Sequence, residues 1–198
     1  MTAWPFDPLM PLSYDVLLAD PATRFETYSP AGAGKSPDAH YPTMTWEELE
    51  ALPVQQLARG DALLMLWACW PTLKQSLALM DAWGFRYVTG GAWHTRTKHG
   101  KSVFGCGYVL RSATEPYLIG TLGSPATANN IRNVIETEDL DVIDAMRREH
   151  SRKPDEQYSV CERIMPRALR FAELFGRQTR PGWDVWGNES TKFEAEAT

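Results

Sequence analysis

The sequence is poor in cysteine and histidine, with three of the first and four of the second among 198 residues. The cysteines lie far apart, at Cys69, Cys106 and Cys161. They lack the paired spacing of disulfide frameworks and zinc sites, which indicates core thiols in a reducing compartment. The histidines lack the spacing of metal ligands. We therefore expect no metal and a cytoplasmic location.

Long apolar runs, repeats and an excess of positive charge are also absent. No run approaches the roughly 20 residues that cross a bilayer, which excludes a membrane role. The net charge of -5 argues against broad adhesion to nucleic acid, although a local basic patch remains compatible with it. The 43% hydrophobic content suits one core. We expect a single domain over residues 1–190 and a flexible tail at 191–198.

Apolar runs alternate with helical periodicity, which indicates an α/β layered fold. We expect strands over 16–19, 62–67, 85–93, 116–121 and 171–175, and helices that begin near Trp46, Pro71 and Pro154. Thr45 and Glu48 have the spacing of a capping box before the first helix, and Tyr158 should face inward from the last. Residues 26–40 and 124–149 are predicted loops, the second with a short helix at 138–148.

Six short segments carry the functional signal. The first is Asp-Pro-Ala-Thr at 20–23, directly after the first strand; on its own, Asp-Pro is typical of a turn. The others are His-Tyr-Pro-Thr-Met at 40–44, Gly-Tyr-Val-Leu-Arg at 107–111, His-Ser-Arg-Lys-Pro-Asp-Glu at 150–156, Glu-Leu-Phe-Gly-Arg at 173–177 and Pro-Gly-Trp-Asp-Val-Trp-Gly-Asn-Glu at 181–189. All six segments in this order identify a protein family far more specifically than any one segment does alone.

Together the segments closely resemble the family of the catalytic subunit of messenger-RNA N6-adenosine methyltransferase, over residues 14 to 190. The resemblance implies a permuted Rossmann-like methyltransferase fold, a doubly wound and mostly parallel sheet with helices on both faces. It also implies S-adenosylmethionine as cofactor and adenine in nucleic acid as substrate. Bacterial and phage members resemble this chain in size and are expected to act on DNA rather than RNA.

The tetrapeptide departs from the family pattern, which is Asp-Pro-Pro-Trp. The exocyclic amine of adenine is a poor nucleophile, because its lone pair is delocalised into the ring. The resemblance implies that the Asp20 carboxylate and the Pro21 carbonyl accept its two N–H bonds and stabilise the charge that develops on methyl transfer. Ala22 and Thr23 complete the predicted catalytic segment, but Thr23 replaces the aromatic residue that stacks on the base.

The resemblance assigns the cofactor to a second set of residues. Lys153 of the Lys-Pro-Asp segment is expected to pair with the cofactor carboxylate, and Asn188 is expected to contact its ribose. The full set of expected cofactor residues is Asp20, Lys153, Glu173, Arg177, Asn188 and Glu189. From spacing alone, Lys153 is more typical of a surface cation and Asn188 of a turn cap. The substrate motif precedes the cofactor motif, the reverse of the simplest Rossmann order.

Substrate contacts are expected from three regions. His40 and Tyr41 match a family segment near the active site, and Trp70 should lie at the rim of the sheet, where its indole replaces the lost stacking surface or packs under the 26–40 loop. Residues 96–111 are basic and either contact phosphates or form a solvated loop. The expected substrate-binding set is His40, Tyr41, Trp70, Lys98, Lys101, Arg111 and Glu115.

Two other functions remain open from the sequence. A catalytically impaired homologue that binds nucleic acid or an active partner subunit, as a homodimer or heterodimer, would account for Ala22 and Thr23. Methylation of a small molecule or a protein suits the acidic net charge, but it does not suit the Asp-Pro segment. Most of the eight tryptophans are expected to be core residues rather than base-stacking surfaces.

Overall fold

The structure is a computed structural model that describes residues 4–22, 43–97, 99–105, 107, 109–136, 152–188 and 190. Several sequence-based predictions fall outside these ranges. They concern Thr23, the loop at 26–40 with His40 and Tyr41, Lys98, Cys106, the helix at 138–148, Glu189 and the tail at 191–198.

The described strands form a seven-stranded sheet. They are β1 (Tyr14–Ala19), β2 (Ala58–Trp67), β3 (Arg86–His94), β4 (Thr114–Leu122), β5 (Val134–Glu136), β6 (Phe171–Leu174) and β7 (Trp183–Trp186). Their order is β5-β3-β4-β2-β1-β6-β7. All neighbouring pairs are parallel except those of β4, which runs antiparallel to β2 and β3. The expected α/β fold with a mostly parallel sheet is confirmed.

Helices pack on both faces of this sheet. They are α1 (Trp46–Glu50), α2 (Leu73–Ala82) and α3 (Glu156–Ile164), with 3-10 turns at Val54–Leu57 and Trp70–Thr72. Because alternate strand residues point to opposite faces, Leu17 of β1 joins a core with Leu79 of α2, and Leu18 joins a second core with Tyr158 and Cys161 of α3. The sheet is therefore doubly wound, as predicted.

Local signals explain the helix starts. The Thr45 hydroxyl accepts from the Glu48 amide at 3.2 Å, while the Glu48 carboxylate accepts from the Thr45 amide at 2.8 Å. This is the predicted capping box, and α1 begins at Trp46 as expected. At Pro71 the sequence predicted a helix start, but a 3-10 turn occupies residues 70–72 and α2 begins at Leu73.

Two expectations were wrong, and one strand was missed. The predicted loop at 124–149 contains β5, which buries only Ile135. Strand β7, which contains Trp183 and Trp186, was not predicted. Both strands are too short for hydrophobic alternation to reveal them. Cys69 is exposed rather than a core thiol, because it follows the buried end of β2; Cys161 is buried as predicted.

The topology brings several chain segments to one edge of the sheet. Strands β1, β2, β6 and β7 are parallel, so their carboxyl ends lie together. Trp67 of β2 pairs with Tyr117 of the antiparallel β4, which places the start of β4 beyond the end of β2. Ligands of doubly wound sheets bind at this edge.

Candidate active site

Lys153 lies between two carboxylates at the carboxyl edge of the sheet. Its Nζ is 3.0 Å from Oδ2 of Asp20 and 3.6 Å from Oε2 of Glu115, and its side chain is 10% exposed. Burial alone would lower the pKa of this ammonium, but the Asp20 and Glu115 carboxylates outweigh burial and raise the pKa above its usual range. Lys153 is therefore a charged, buried group, and its interpretation as a surface cation was wrong.

The indole of Trp67 packs against the same ammonium. Nζ of Lys153 lies 5.4 Å from a Trp67 ring centroid, within cation–π range. The Trp67 Nε1 donates to Oε1 of Gln157 at 2.7 Å, which fixes the ring against α3. Trp67 is buried as predicted, but it also contacts the site.

Backbone hydrogen bonds tie the Asp-Pro segment on both sides. The Asp20 amide donates to the Leu174 carbonyl at 3.4 Å, which continues the pairing of β1 with β6. The Ala22 carbonyl accepts from the Met44 amide at 3.2 Å, just before α1. Asp20 and Ala22 are thus anchored to two different elements, and Pro21 lies between the two anchors.

A second acidic group, Glu173 of β6, is buried behind Asp20 and is 7% exposed. Burial raises the pKa of Glu173 to about 7; the hydrogen bond from Tyr158 opposes this shift and the Asp20 charge adds to it. The Tyr158 hydroxyl donates to Oε2 of Glu173 at 2.9 Å. Burial and the Glu173 charge raise the pKa of Tyr158. The raised pKa places the protonation change of Glu173 near neutral pH.

Sequence reasoning missed the network that holds this pair. Gln178 donates through Nε2 to Oδ1 of Asp155 at 3.1 Å and to the Tyr158 hydroxyl at 3.4 Å, and its Oε1 accepts from Arg152 at 3.2 Å. These bonds join the start of α3 to the turn after β6. The available signal was the predicted inward direction of Tyr158, because a buried phenol needs a hydrogen-bond partner.

The ends of β6 and β7 approach each other closely. The Gly176 amide donates to the Trp186 carbonyl at 3.0 Å, and a β-carbon at Gly187 would collide with the Gly176 backbone. Phe175 has a φ of 64°, which turns the chain sharply after β6. A β-carbon at Gly176 would in turn collide with the Val185 side chain and crowd the Glu173 carboxylate, so glycine at both positions allows this close packing. The predicted residues Arg177 and Asn188 follow these two turns, and Asn188 is exposed.

Trp70 lies at the rim, where it was predicted. It is 49% exposed, and its Nε1 donates to the Thr114 carbonyl at 3.0 Å. Thr114 directly precedes Glu115 at the start of β4. The hydrogen bond fixes the indole near the acidic end of the site. The loop under which Trp70 was alternatively expected to pack lies outside the described residues.

The described residues of the basic segment at 96–111 make backbone hydrogen bonds, such as the one from the Thr97 amide to the Lys101 carbonyl at 2.7 Å. Lys101 and Arg111 are exposed, as phosphate contacts require. Arg96 instead donates to Oε1 of Glu136 at 2.9 Å. Of the predicted residues, the structure thus brings Asp20, Lys153 and Glu115 into contact. Glu173 lies close enough to Asp20 for the Asp20 charge to raise its pKa.

These features define a doubly wound α/β protein with a buried lysine between carboxylates at the carboxyl ends of its strands, the edge where such sheets bind ligands. The model of the MT-A70 family matches residues 14–189, and the chain belongs to that family. The resemblance drawn from the motifs is thereby confirmed, and with it the Rossmann-like methyltransferase fold.

Proteins from several distant organisms are similar in sequence to this chain. An Arabidopsis thaliana N(6)-adenosine-methyltransferase MT-A70-like protein is 33% identical over 182 residues, 89% of this chain and 24% of its own length. The Type II methyltransferase M.MunI of Mycoplasma sp is 34% identical over 155 residues, 75% of this chain and 59% of its own. Human METTL3, an N(6)-adenosine-methyltransferase catalytic subunit, is 29% identical over 181 residues, 89% of this chain and 28% of its own. The chain thus spans only part of each relative.

Among the residues that the structure describes, no helix has both the length and the apolar character needed to cross a membrane.

Proposed function

We propose that the protein is an S-adenosylmethionine-dependent N6-adenine methyltransferase that acts on nucleic acid, with DNA favoured over RNA. The 3.0 Å pair of Lys153 and Asp20 carries this proposal, because it joins the cofactor-side lysine to the substrate-side aspartate. The names of the relatives, N(6)-adenosine methyltransferases and a type II methyltransferase, support it. The preference for DNA depends on the resemblance in size to bacterial and phage members.

The residues of the site suit the cofactor. S-adenosylmethionine presents a carboxylate, an ammonium, two ribose hydroxyls and an adenine ring, and it supplies an electrophilic methyl group. Lys153 would hold the carboxylate, while Asn188 and Glu189 would hold the ribose. Lys153 supplies a cation and Glu173 supplies a hydrogen-bond acceptor at this edge of the sheet, which are groups that the cofactor carboxylate and hydroxyls require.

The residues that would bind adenine lie at the same edge of the sheet. The Asp20 carboxylate and the Pro21 carbonyl would accept the two N–H bonds of the amine and stabilise its developing positive charge. Lys153 orients Asp20 by holding Oδ2 at 3.0 Å, which leaves Oδ1 for the amine. Trp70, exposed at the rim, would supply the stacking surface that Thr23 cannot.

The second candidate is a catalytically impaired homologue that binds nucleic acid or an active partner subunit. The departures at Ala22 and Thr23 favour it, since they remove the proline and the aromatic residue of the family tetrapeptide. We also propose one methyltransferase domain over residues 1–190 and a cytoplasmic location.

Mass spectrometry of the reaction product tests the proposal. The protein would be incubated with isotope-labelled S-adenosylmethionine and either mixed DNA or mixed RNA, and the nucleosides would be separated. Labelled N6-methyladenine in DNA is the expected result, and label confined to RNA would reverse the substrate preference. Binding of the cofactor with no labelled nucleoside from either polymer would favour the impaired homologue.

A further inference from the structure

Residues 95–113 connect β3 to β4, and we call them the β3–β4 arm; the structure describes all of them except residues 98, 106 and 108. The Thr95 amide donates to the Ala113 carbonyl at 3.0 Å, and the Gly105 amide donates to the Ser112 carbonyl at 2.8 Å. These backbone hydrogen bonds join the beginning and the middle of the arm to its end.

The β3–β4 arm carries three exposed apolar side chains, which we call the apolar tip. Phe104 is 77% exposed, Val109 is 84% exposed and Leu110 is 82% exposed. A β-carbon at Gly107 would collide with the Leu110 carbonyl, so glycine is needed where the arm turns. Large apolar side chains that are this exposed and lie near one another in the sequence are typical of a surface that contacts a partner.

The charges around this surface indicate the kind of partner. The Arg111 guanidinium lies 4.6 Å from the Phe104 ring centroid, and its Nε donates to the Gly105 carbonyl at 2.6 Å. Lys101 is exposed nearby in the chain, and residues 96–111 include no Asp or Glu. Cations next to apolar tips complement a polyanion with stacked bases better than they complement an apolar protein surface.

The arm is also attached directly to the proposed site. The end of the arm is followed by Thr114, whose carbonyl accepts the hydrogen bond from Trp70, and then by Glu115. Oε2 of Glu115 lies 3.6 Å from the Lys153 Nζ. Lys153 in turn contacts Asp20 at 3.0 Å. The arm that carries the apolar tip is therefore connected through Glu115 and Lys153 to the residue proposed to hold adenine.

We propose that Phe104, Val109 and Leu110 form a wedge that enters the base stack of duplex DNA beside the target adenine. An adenine within a duplex must leave the stack to reach Asp20, and the gap left behind costs stacking energy. Apolar side chains inserted between bases offset that cost, and nearby cations hold the adjacent phosphates. This inference rests on the proposed function, and it adds a way of opening duplex substrate.

Comparison of paired and unpaired substrate tests the wedge. The variant Val109→Ser with Leu110→Ser and the parent chain would be assayed on one plasmid, native and heat-denatured. We expect the variant to lose about tenfold more activity on native than on denatured plasmid, because denatured bases need no wedge. Leu169→Ser, an equally apolar change at a side chain 74% exposed just before β6, should leave the native-to-denatured ratio unchanged.

Binding provides a readout that does not need methyl transfer. Fluorescence anisotropy would compare a labelled duplex with one of its strands, over a series of salt concentrations. The double variant should weaken duplex binding several-fold more than single-strand binding, with an unchanged salt slope, because it keeps every cation that can bind a phosphate.

Three results would overturn the wedge. These are equal losses on native and denatured DNA, no loss on either, and a changed molecular mass in light scattering with unchanged duplex binding, which would assign the tip to a protein partner. Thermal melting would confirm that each variant is folded. If the parent methylates neither plasmid, the proposed function fails, and the anisotropy ratio still decides the wedge.

Discussion

The Nζ of Lys153 lies 3.0 Å from Oδ2 of Asp20, although the two residues are far apart in the sequence. Asp20 follows β1, an interior strand of the sheet, and Lys153 precedes α3 on one of its faces. A buried ammonium shared by Asp20 and Glu115 can hold one carboxylate in place and attract another. This pair is where the proposed cofactor and adenine sites meet.

Removal of the lysine should weaken cofactor binding. We expect Lys153→Ala to reduce the affinity for S-adenosylmethionine by roughly 1.5 to 3 kcal/mol in calorimetry, the usual contribution of a charged hydrogen bond. Lys74→Ala, at an exposed lysine of α2, is the matched control and should bind as the parent does. Unchanged affinity in Lys153→Ala would remove Lys153 from the site, and a parent that binds no cofactor would contradict the methyltransferase function.

The burial of Glu173 predicts a pH dependence of stability. Its pKa is raised from 4.5 to about 7, so the folded protein binds an extra proton between these values. The contribution of Glu173 to stability is therefore present below pH 4.5 and is lost as pH rises towards 7, by about 3 kcal/mol at most. Glu173→Gln should flatten this fall in urea unfolding measured from pH 4.5 to 8. Parallel curves for the two proteins would contradict the raised pKa.

The lysines of the arm should contribute salt-dependent binding. Replacing Lys98 and Lys101 by alanine should weaken binding similarly across DNA sequences and flatten the salt dependence by about one unit for each phosphate that the protein no longer binds. Lys101 is exposed on the β3–β4 arm, whereas Lys98 lies outside the described residues. Lys74→Ala again serves as the control. An unaltered salt slope would return the segment to the solvated-loop interpretation.

The indole at the rim should bind the base. Trp70→Ala is expected to cost about 1 to 3 kcal/mol of binding to adenine-containing oligonucleotides while cofactor affinity is retained. Trp70→Phe keeps an aromatic face but loses the hydrogen bond to Thr114, so it should recover part of the binding. If Ala22→Pro with Thr23→Trp creates activity in a silent protein and Trp70→Ala has no effect, the compensation by Trp70 is wrong.

The sequence predicted elements whose signals are local. The capping box at Thr45 and the apolar run at 62–67 each specify a structure within a few residues, and both were confirmed. Strand β5 was missed because three residues show no period and only Ile135 is buried. The antiparallel direction of β4 was also not predicted, since it depends on pairing with distant strands.

The site was predictable only where a motif was present. Lys153 was assigned through resemblance, because its spacing alone suggested an exposed cation; its burial depends on Asp20, Glu115 and Trp67, which lie far away in sequence. The hydrogen bond of Tyr158 to Glu173 was not predicted, because no local pattern specifies which buried phenol meets which carboxylate. The proposed wedge likewise depends on the exposure of three apolar side chains of the β3–β4 arm, which the sequence did not predict.

The most direct test is the rate at which labelled N6-methyladenine forms in DNA with the parent, Asp20→Asn and Asp81→Asn at saturating cofactor. Asp20→Asn keeps the shape of the side chain but removes the charge that would stabilise the amine, and Asp81 is an exposed residue of α2. We predict product from the parent and Asp81→Asn, and a loss of about 100-fold or more in Asp20→Asn at the same saturating cofactor concentration. Equal rates in the parent and Asp20→Asn would contradict catalysis at this edge of the sheet.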